Sequence, residues 1–337
     1  MKKMVTIKDI ARIAGVSPST VSGVINNNGR VGKETKEKIL KVIKELNYRP
    51  NAVAKGLRSK NTRTVGLLLP SITNPFYPGF ARGVEDTAHS YGYNVFLCNS
   101  DRSLEKEKEY IETLLYKQVD GLIFAAPIVG KKEIVSAVEH GAHVVVVSET
   151  LNLPLVDEVW INYVGGAKAI TQYLIELGHE RIGFIGGLPG LRRSQDRLAG
   201  YKLALKKAGI PVEEELIKLG DFTYESGYEQ GLGLLKLQKR PTAIFAANDL
   251  MALGVLAALE DNKVKVPEEM SVVGYDDIEL ASYIRPKLTT VHLPNYEAGR
   301  LAMEALIKRR DNEFPKTKIR VTMETSLVIR ESAASPR

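Results

Sequence analysis

Near the start of the chain, apolar residues recur three times over at the three- and four-residue spacing that places them on one face of a helix. Ile7, Ile10, Ala11 and Ala14 mark the first stretch; Thr6 is placed to cap it, Asp9 stands near its positive end, and Gly15 stops it. In the second, Ser17 caps, Pro18 takes the first helical position, where its missing N–H costs nothing, and Val21, Val24 and Ile25 face inward until Asn26, Asn27, Asn28 and Gly29 end the run. In the third, Gly32 caps and Ile39, Val42, Ile43 and Leu46 form the buried stripe. Helix, tight turn with glycine, helix is the helix-turn-helix arrangement. In that arrangement the second helix enters the major groove of DNA, its first residues on base edges. Here those residues are Pro18, Ser19, Thr20, Ser22 and Gly23, with Thr6, Ser17 and Asn26 suited to phosphate contacts. A small three-helix bundle that binds protein would show the same periodicity.

The segment YRPNAVAKGLRSKNT follows, from Tyr48. Arg49 and Pro50 break the third helix, and Asn51 can cap a short new one in which Ala54 and Leu57 lie three apart, beside Lys55 and Arg58. Gly56 weakens that helix, so it is expected to form only on DNA, where Leu57 could wedge between base steps in the minor groove. The bland reading of Leu57 is an apolar linker residue.

From Thr64 the rhythm changes. Apolar runs (TVGLLLP, NVFLCNS, DGLIFAAP, HVVVVS) alternate with amphipathic stretches starting near residues 80, 104 and 132. The alternation recurs after Trp160, with RIGFIGG, TAIFAAND and SVVGYDD between stretches starting at 163, 197, 223 and 250. Alternating strand and helix predicts an α/β fold with parallel sheets covered on both faces. Two similar halves predict two doubly wound lobes with a cleft between them, and ligands of such sheets bind beyond the carboxyl ends of the strands.

Charge separates the two parts. Residues 1–60 hold 14 Lys and Arg against 4 Asp and Glu, a net of +10, whereas the rest holds 33 against 36, a net of −3. A basic head on a near-neutral body is the footprint of a polyanion-binding module, though a solvated basic face would look alike. The single cysteine, Cys98, excludes an intrachain disulfide and suits a reducing cytoplasm. Lys8, Asp9 and Arg12 interrupt any leader-like apolar run, and the longest apolar stretches are far short of the roughly 20 residues a membrane helix needs. Neither export nor a membrane partner is expected.

The expected strand ends carry the polar and aromatic residues: Asn74, Pro75, Phe76 and Tyr77; Ser148 and Glu149; Arg197, opening a helix after IGFIGG; Phe222; Asn248 and Asp249; Asp276 and Asp277. His292 falls where the chain should cross back between lobes. Aromatic faces beside Arg, Asn and Asp suit a sugar, whose apolar face lies on rings and whose hydroxyls pair with planar polar groups. Each also has a structural reading: Phe222 as core, Asp276 as a helix cap, Arg197 paired with Asp196 or Glu180.

In this order, the motifs TIKDIARIAGVSPSTVSGVINN, ELNYRPNAVAKGLRS, SITNPFY, DRLAGY, TAIFAANDLMALG and SVVGYDDIELASYIRPKLTTV make the chain resemble, over essentially its whole length, the lac repressor (LacI/GalR) family of bacterial transcription regulators. The resemblance implies a head over residues 1–48, a hinge helix over 49–61, and a body like periplasmic sugar-binding proteins. One lobe would comprise 62–161 with 293–321, the other 162–292 with 322–337. It adds Tyr48 to the DNA-facing set and implies effector contacts from Phe76, Tyr77, Ser148, Arg197, Phe222, Asn248, Asp276 and His292, with Glu149 tuning selectivity. Two positions depart from the family's pattern. Gly23 stands where an arginine usually helps read the operator, and arginine is the commonest direct reader of guanine, so base reading is expected to fall on Pro18, Ser19, Thr20 and the minor-groove wedge. Gly32 replaces a frequent capping serine at a cost of a few tenths of a kcal/mol, about the usual Ser-to-Gly cap difference.

Rival classes are weaker. IGFIGGLPG loosely resembles a dinucleotide-binding loop but lacks the strict glycine spacing and the acidic residue some twenty positions on. The five histidines show no metal-ligand spacing, so neither an enzyme nor a cofactor is expected. A transport receptor would not need the basic head. A phosphorylated carrier protein as effector, which occurs in this family, remains the alternative to a small molecule. The expectation is a homodimeric cytoplasmic regulator, a repressor of a carbohydrate-use operon, that reads a near-palindromic operator and answers to a sugar or sugar derivative. The short polar tail after Arg330 favours a dimer over a tetramer.

Overall fold

The computed structural model describes residues 5–25, 31–48, 62–148, 151–311 and 318–336. The chain divides into two compact units, residues 1–62 and 63–337. Asn26 and the whole expected hinge helix, with Asn51, Ala54, Lys55, Leu57 and Arg58, lie outside the described residues, as does Glu149.

The first unit holds α1 (Ile7–Ala14), α2 (Pro18–Ile25) and α3 (Lys33–Glu45). Thr6 and Asp9 form a reciprocal capping box on α1, and Gly15 closes that helix in the left-handed conformation at φ 68°. Ile10, Ala11, Ala14, Val21, Val24, Ile39 and Val42 are buried together, while Ile7, Ile25, Ile43 and Leu46 are half-buried around them. The predicted stripes therefore converge on one small core.

The second unit contains two parallel sheets. The larger has the order β11-β5-β4-β3-β1-β2, from Thr64–Leu69 (β1), Asn94–Asn99 (β2), Gly121–Ala125 (β3), His143–Val147 (β4), Val156–Ile161 (β5) and Arg320–Met323 (β11). The smaller has the order β7-β6-β8-β9, from Ile182–Gly186 (β6), Ile217–Leu219 (β7), Ala243–Ala246 (β8) and Ser271–Val273 (β9). Side chains alternate between faces of the larger sheet: Leu67, Leu69, Val145 and Val147 join one core cluster, and Leu68, Val144 and Val146 join another. Both faces are thus covered, which is why these strands read as unbroken apolar runs.

The helices of this unit, continuing the numbering, are α4 (Phe76–Ser90), α5 (Leu104–Tyr116), α6 (Lys131–Glu139), α7 (Tyr163–Glu176), α8 (Arg192–Lys207), α9 (Tyr224–Leu235), α10 (Asp249–Asp261), the short α11 (Leu280–Tyr283) and α12 (Asn295–Arg310). Two expected helix starts need correction. The helix expected near residue 80 begins at Phe76, and Arg197 does not open its helix but sits more than a turn inside one that begins at Arg192. A small antiparallel pair, Thr290–His292 (β10) and Ser326–Val328 (β12), lies where the chain passes between the sheets. Strand β11 pairs with β5 through Met323, so the crossing expected between residues 321 and 322 falls inside a strand and belongs after Met323.

Candidate functional site

In the head, Ser17, Pro18 and Ser19 are exposed at the start of α2, with Thr20, Ser22 and Gly23 half-buried behind them. Ser17 Oγ accepts from the Thr20 backbone N–H at 3.1 Å and lies 2.6 Å from Ser19 Oγ and 2.8 Å from Thr20 Oγ1. The result is a patch of hydroxyls at a helix N-terminus, without a long side chain. Lys8, Arg12, Lys33, Lys38, Lys41 and Lys44 are exposed on the same unit. Tyr48 packs half-buried against the core of the three helices.

In the body, the carboxyl ends of both sheets meet at one cavity. From the larger sheet come Asn74, Phe76, Tyr77 and Phe80 after β1, Arg102 after β2, Ala125 and Ala126 at β3, and Val147 and Ser148 at β4; Tyr163 opens α7. From the smaller sheet come Arg193 and Arg197 on α8, Phe222 after β7 and Asp276 after β9. The enclosed space is about 30 Å3, room for roughly one or two waters.

Its centre is a buried ion pair. Arg197 Nη2 donates to Asp276 Oδ1 at 2.9 Å, and both residues are nearly inaccessible. The guanidinium lies 4.3 Å from the centre of the Tyr275 ring, 4.9 Å from that of Tyr163 and 5.6 Å from that of Phe222. Burial pushes the Asp276 carboxyl up to about 6, while Arg197 and Arg193 pull against the shift. Burial likewise pushes the Tyr163 phenol up to about 12, and its hydroxyl lies 2.6 Å from Ser148 Oγ.

Backbone strain collects at this cavity. Arg102 (φ 57°), Ala126 (58°), Ser148 (64°), Phe222 (71°) and Asp276 (118°) all adopt left-handed conformations without being glycine. Such residues cost about 1–3 kcal/mol each and persist only where the surroundings hold them. Phe222 shows how: its carbonyl accepts from Asn248 Nδ2 at 3.1 Å, and its neighbour Thr223 donates to Asp221 from both backbone and hydroxyl.

Of the expected effector set, Phe76, Tyr77, Ser148, Arg197, Phe222 and Asp276 line the cavity. Asn248 and His292 do not. Asn248 caps α10, its Oδ1 accepting from Met251 N–H at 3.0 Å, and its Nδ2 donates to the Phe222 carbonyl, which lies beside the cavity. His292 is exposed and donates or accepts through Nδ1 at 3.0 Å from Asp277, which also accepts from Arg330 at 2.6 Å. That set ties the strands that cross between the sheets. Arg197 pairs with neither Asp196 nor Glu180; Asp196 faces Arg192 at 2.9 Å. The sequence reading missed Arg102, Arg193 and Tyr163 in the cavity wall. Arg193 was hidden by the misplaced start of α8. The sequence marks Tyr163 only as the opening of a helix, with no sign that it reaches the cavity.

Comparison with known proteins adds the following. Residues 6–51 match the model of bacterial regulatory proteins of the lacI family, and residues 171–333 match that of a periplasmic binding protein-like domain. The chain is 41% identical over 310 residues to catabolite control protein A of Priestia megaterium, covering 92% of this chain and 93% of that one. It superimposes on the transcriptional regulator CelR in complex with cellobiose with a TM-score of 0.75 at 34% identity, covering 97% and 99% of the two chains. On the lac repressor dimer bound to operator and the anti-inducer ONPF the TM-score is 0.88 at 29% identity, covering 98% and 100%.

Proposed function

This chain belongs to the lacI family of bacterial regulatory proteins, and from that premise we propose how a sequence-specific DNA-binding transcription regulator is built from its two parts. The head binds a near-palindromic operator as half of a homodimer, through Thr6, the start of the second helix (Ser17, Pro18, Ser19, Thr20, Ser22 and Gly23), Asn26, Tyr48, and the hinge residues Asn51, Ala54, Lys55, Leu57 and Arg58. The body comprises one lobe of residues 62–161 with 293–323 and another of 162–292 with 324–337. A small sugar or sugar derivative binds between them and changes operator affinity, so that a carbohydrate-use operon is repressed or released. The relatives it matches are regulators, and we read this chain as a regulator too, not a catalyst. Acting on DNA, it belongs in the cytoplasm; no described helix is long and apolar enough to cross a membrane.

The single observation carrying the effector reading is the buried Arg197–Asp276 pair ringed by Phe76, Tyr77, Tyr163 and Phe222 where the carboxyl ends of the two sheets meet. A planar cation and a carboxylate among rings can pair with hydroxyls while the rings cover apolar C–H faces. The effector needs only to bind one lobe arrangement better than another. Calorimetric titration with a panel of sugars tests this. Asp276→Ala removes an acceptor of charge-assisted bonds worth about 1.5–3 kcal/mol each, so the bound sugar should weaken at least tenfold. Unchanged affinity would remove Asp276 from the site. An operator response to a phosphorylated carrier protein that survives this substitution would favour control from the surface instead.

A further inference from the structure

We propose that Glu107 is a positioning residue of the effector site: it holds the turn after β3, and with it the strained wall residue Ala126, in the shape that the sugar meets. This rests on reading the cavity as the effector site and names a residue that sets one of its walls without touching the sugar. Glu107 stands in the first turn of α5 and is 4% exposed. Its Oε2 accepts from two successive backbone N–H groups, those of Ile128 and Val129, at 3.0 Å each. Burial pushes the carboxyl above its ordinary range, and the two amides pull against that shift. Burying a charge is costly unless hydrogen bonds answer it. The return is a pair of charge-assisted bonds, stronger than neutral ones, on a single turn of chain.

That turn needs holding. Ala125 and Ala126 line the cavity. Ala126 adopts φ 58°, a left-handed conformation in which a Cβ is crowded. It also precedes Pro127, whose ring drives the residue before it towards extended backbone. Backbone in so sparse a region persists only where its surroundings over-determine it. On one side the Ala126 N–H donates to the Val147 carbonyl at 2.9 Å. On the other side of the proline the chain is fixed by Glu107.

The same residue is anchored to a second wall. Its own N–H donates to the Ser103 carbonyl at 3.0 Å, next to Arg102, which lines the cavity at φ 57°. The charge of Arg102 acts on Asp221, which follows β7 of the smaller sheet, so this wall faces the other lobe. The arrangement recurs one strand along. Glu158 in β5 is 1% exposed, and its Oε1 accepts from the successive N–H groups of Leu151 and Asn152 at 3.0 and 3.1 Å. That loop follows Ser148, another left-handed residue of the wall. The coincidence of a strained wall residue with a buried carboxylate on the next amides assigns Glu107 to the site and not to the fold alone.

The test is calorimetry on the full chain with ribose, glucose, galactose, fructose, maltose and cellobiose. For a sugar whose binding Asp276→Ala weakens, Glu107→Ala should weaken binding by about tenfold or more, since two buried donors lose their acceptor and the turn relaxes. Glu107→Gln keeps a side-chain oxygen able to accept from both N–H groups, so its affinity should return to within about threefold of wild type. Hydrogen exchange over residues 126–130, followed by mass spectrometry, should quicken by about tenfold in Glu107→Ala and return in Glu107→Gln. Should Glu107→Ala fail to fold by its circular-dichroism melt, Glu107→Asp, one methylene too short to reach both amides, takes its place with the same expected loss. A glutamate that only supports the fold would lower the melting temperature and leave the sugar affinity of the folded chain at its wild-type value. That result overturns the proposal while the sugar site stands, as does a Glu107→Gln chain that binds as poorly as Glu107→Ala. Failure of every sugar to bind in a manner sensitive to Asp276→Ala overturns the reading of the cavity, and the role of Glu107 with it.

Discussion

At position 23 the chain has no side chain with which to touch a base, although the residue lies in the second helix of the head. If that helix lies in the major groove, Gly23→Arg should create a preference at one position of each half-site, for guanine, worth about 1–3 kcal/mol. Selection from a random DNA library for wild type and variant decides it; a gain equal for all sequences would place residue 23 at the phosphates. A second residue makes a pH-dependent contribution. His179 is buried, with Nδ1 2.8 Å from Thr242 Oγ1 and Nε2 2.9 Å from the Ala334 carbonyl, and burial holds its pKa below 6.5. The folded ring stays neutral where the unfolded one takes up a proton. Stability is therefore full above about pH 6.5 and falls as pH drops below it, by up to about 1.4 kcal/mol per pH unit for one proton. Melting curves between pH 7 and 5 should show this slope, and His179→Gln should flatten it. Asn248 and His292 show how far residue types alone can place a side chain. Strand-end position in the sequence marks both for a ligand; in the fold Asn248 caps a helix and His292 sits at a crossing. Only three dimensions distinguish a side chain at the cavity from one beside it.

Among elements, helix pairs meet through glycine. A Cβ on Gly83 in α4 would lie 2.0 Å from the Tyr296 carbonyl oxygen, and one on Gly299 in α12 would lie 2.1 Å from that of Phe80. The two helices touch at their backbones, so Gly83→Ala should lower stability by about 3 kcal/mol through forced separation. Gly233, inside α9, meets nothing within 4 Å, and Gly233→Ala should raise stability by about 0.5–1 kcal/mol on helix propensity alone. Chemical denaturation of the two variants checks the contrast; equal effects would mean that α4 and α12 are not locked by contact. Most elements were legible because both faces of the sheets are buried and the runs read cleanly. Strand β5 was not named, because VDEVWI carries two acids through the middle of the larger sheet. Arg309 pairs with Asp157 at 2.5–2.6 Å, and Lys318 meets Glu158 at 2.5 Å. Partners from α12 and just before β11, more than 150 residues away, make the strand possible, and no local pattern contains them.

On the scale of the molecule, the charge split at residue 60 and the change of rhythm at Thr64 agree with the division into units at residues 62 and 63. The two lobes follow from the repeated alternation. The place where the chain returns between them was misjudged by two residues because β11 is short and polar-edged, and its end is fixed by pairing with β5. The cavity was half legible: aromatic and planar polar types at strand ends can be listed from sequence, whereas Arg102, Arg193 and Tyr163 join its wall only through the fold. The central claim is that this cavity controls the head. The direct measurement is the anisotropy of a labelled operator duplex, chosen by selection, titrated with the full-length chain with and without the sugar that calorimetry identifies. The account predicts that the sugar shifts the operator Kd by about 5–150-fold, the range of ordinary allosteric coupling, and that Asp276→Ala abolishes the shift. An operator Kd that ignores the bound sugar, or an equal shift in the variant, would contradict it.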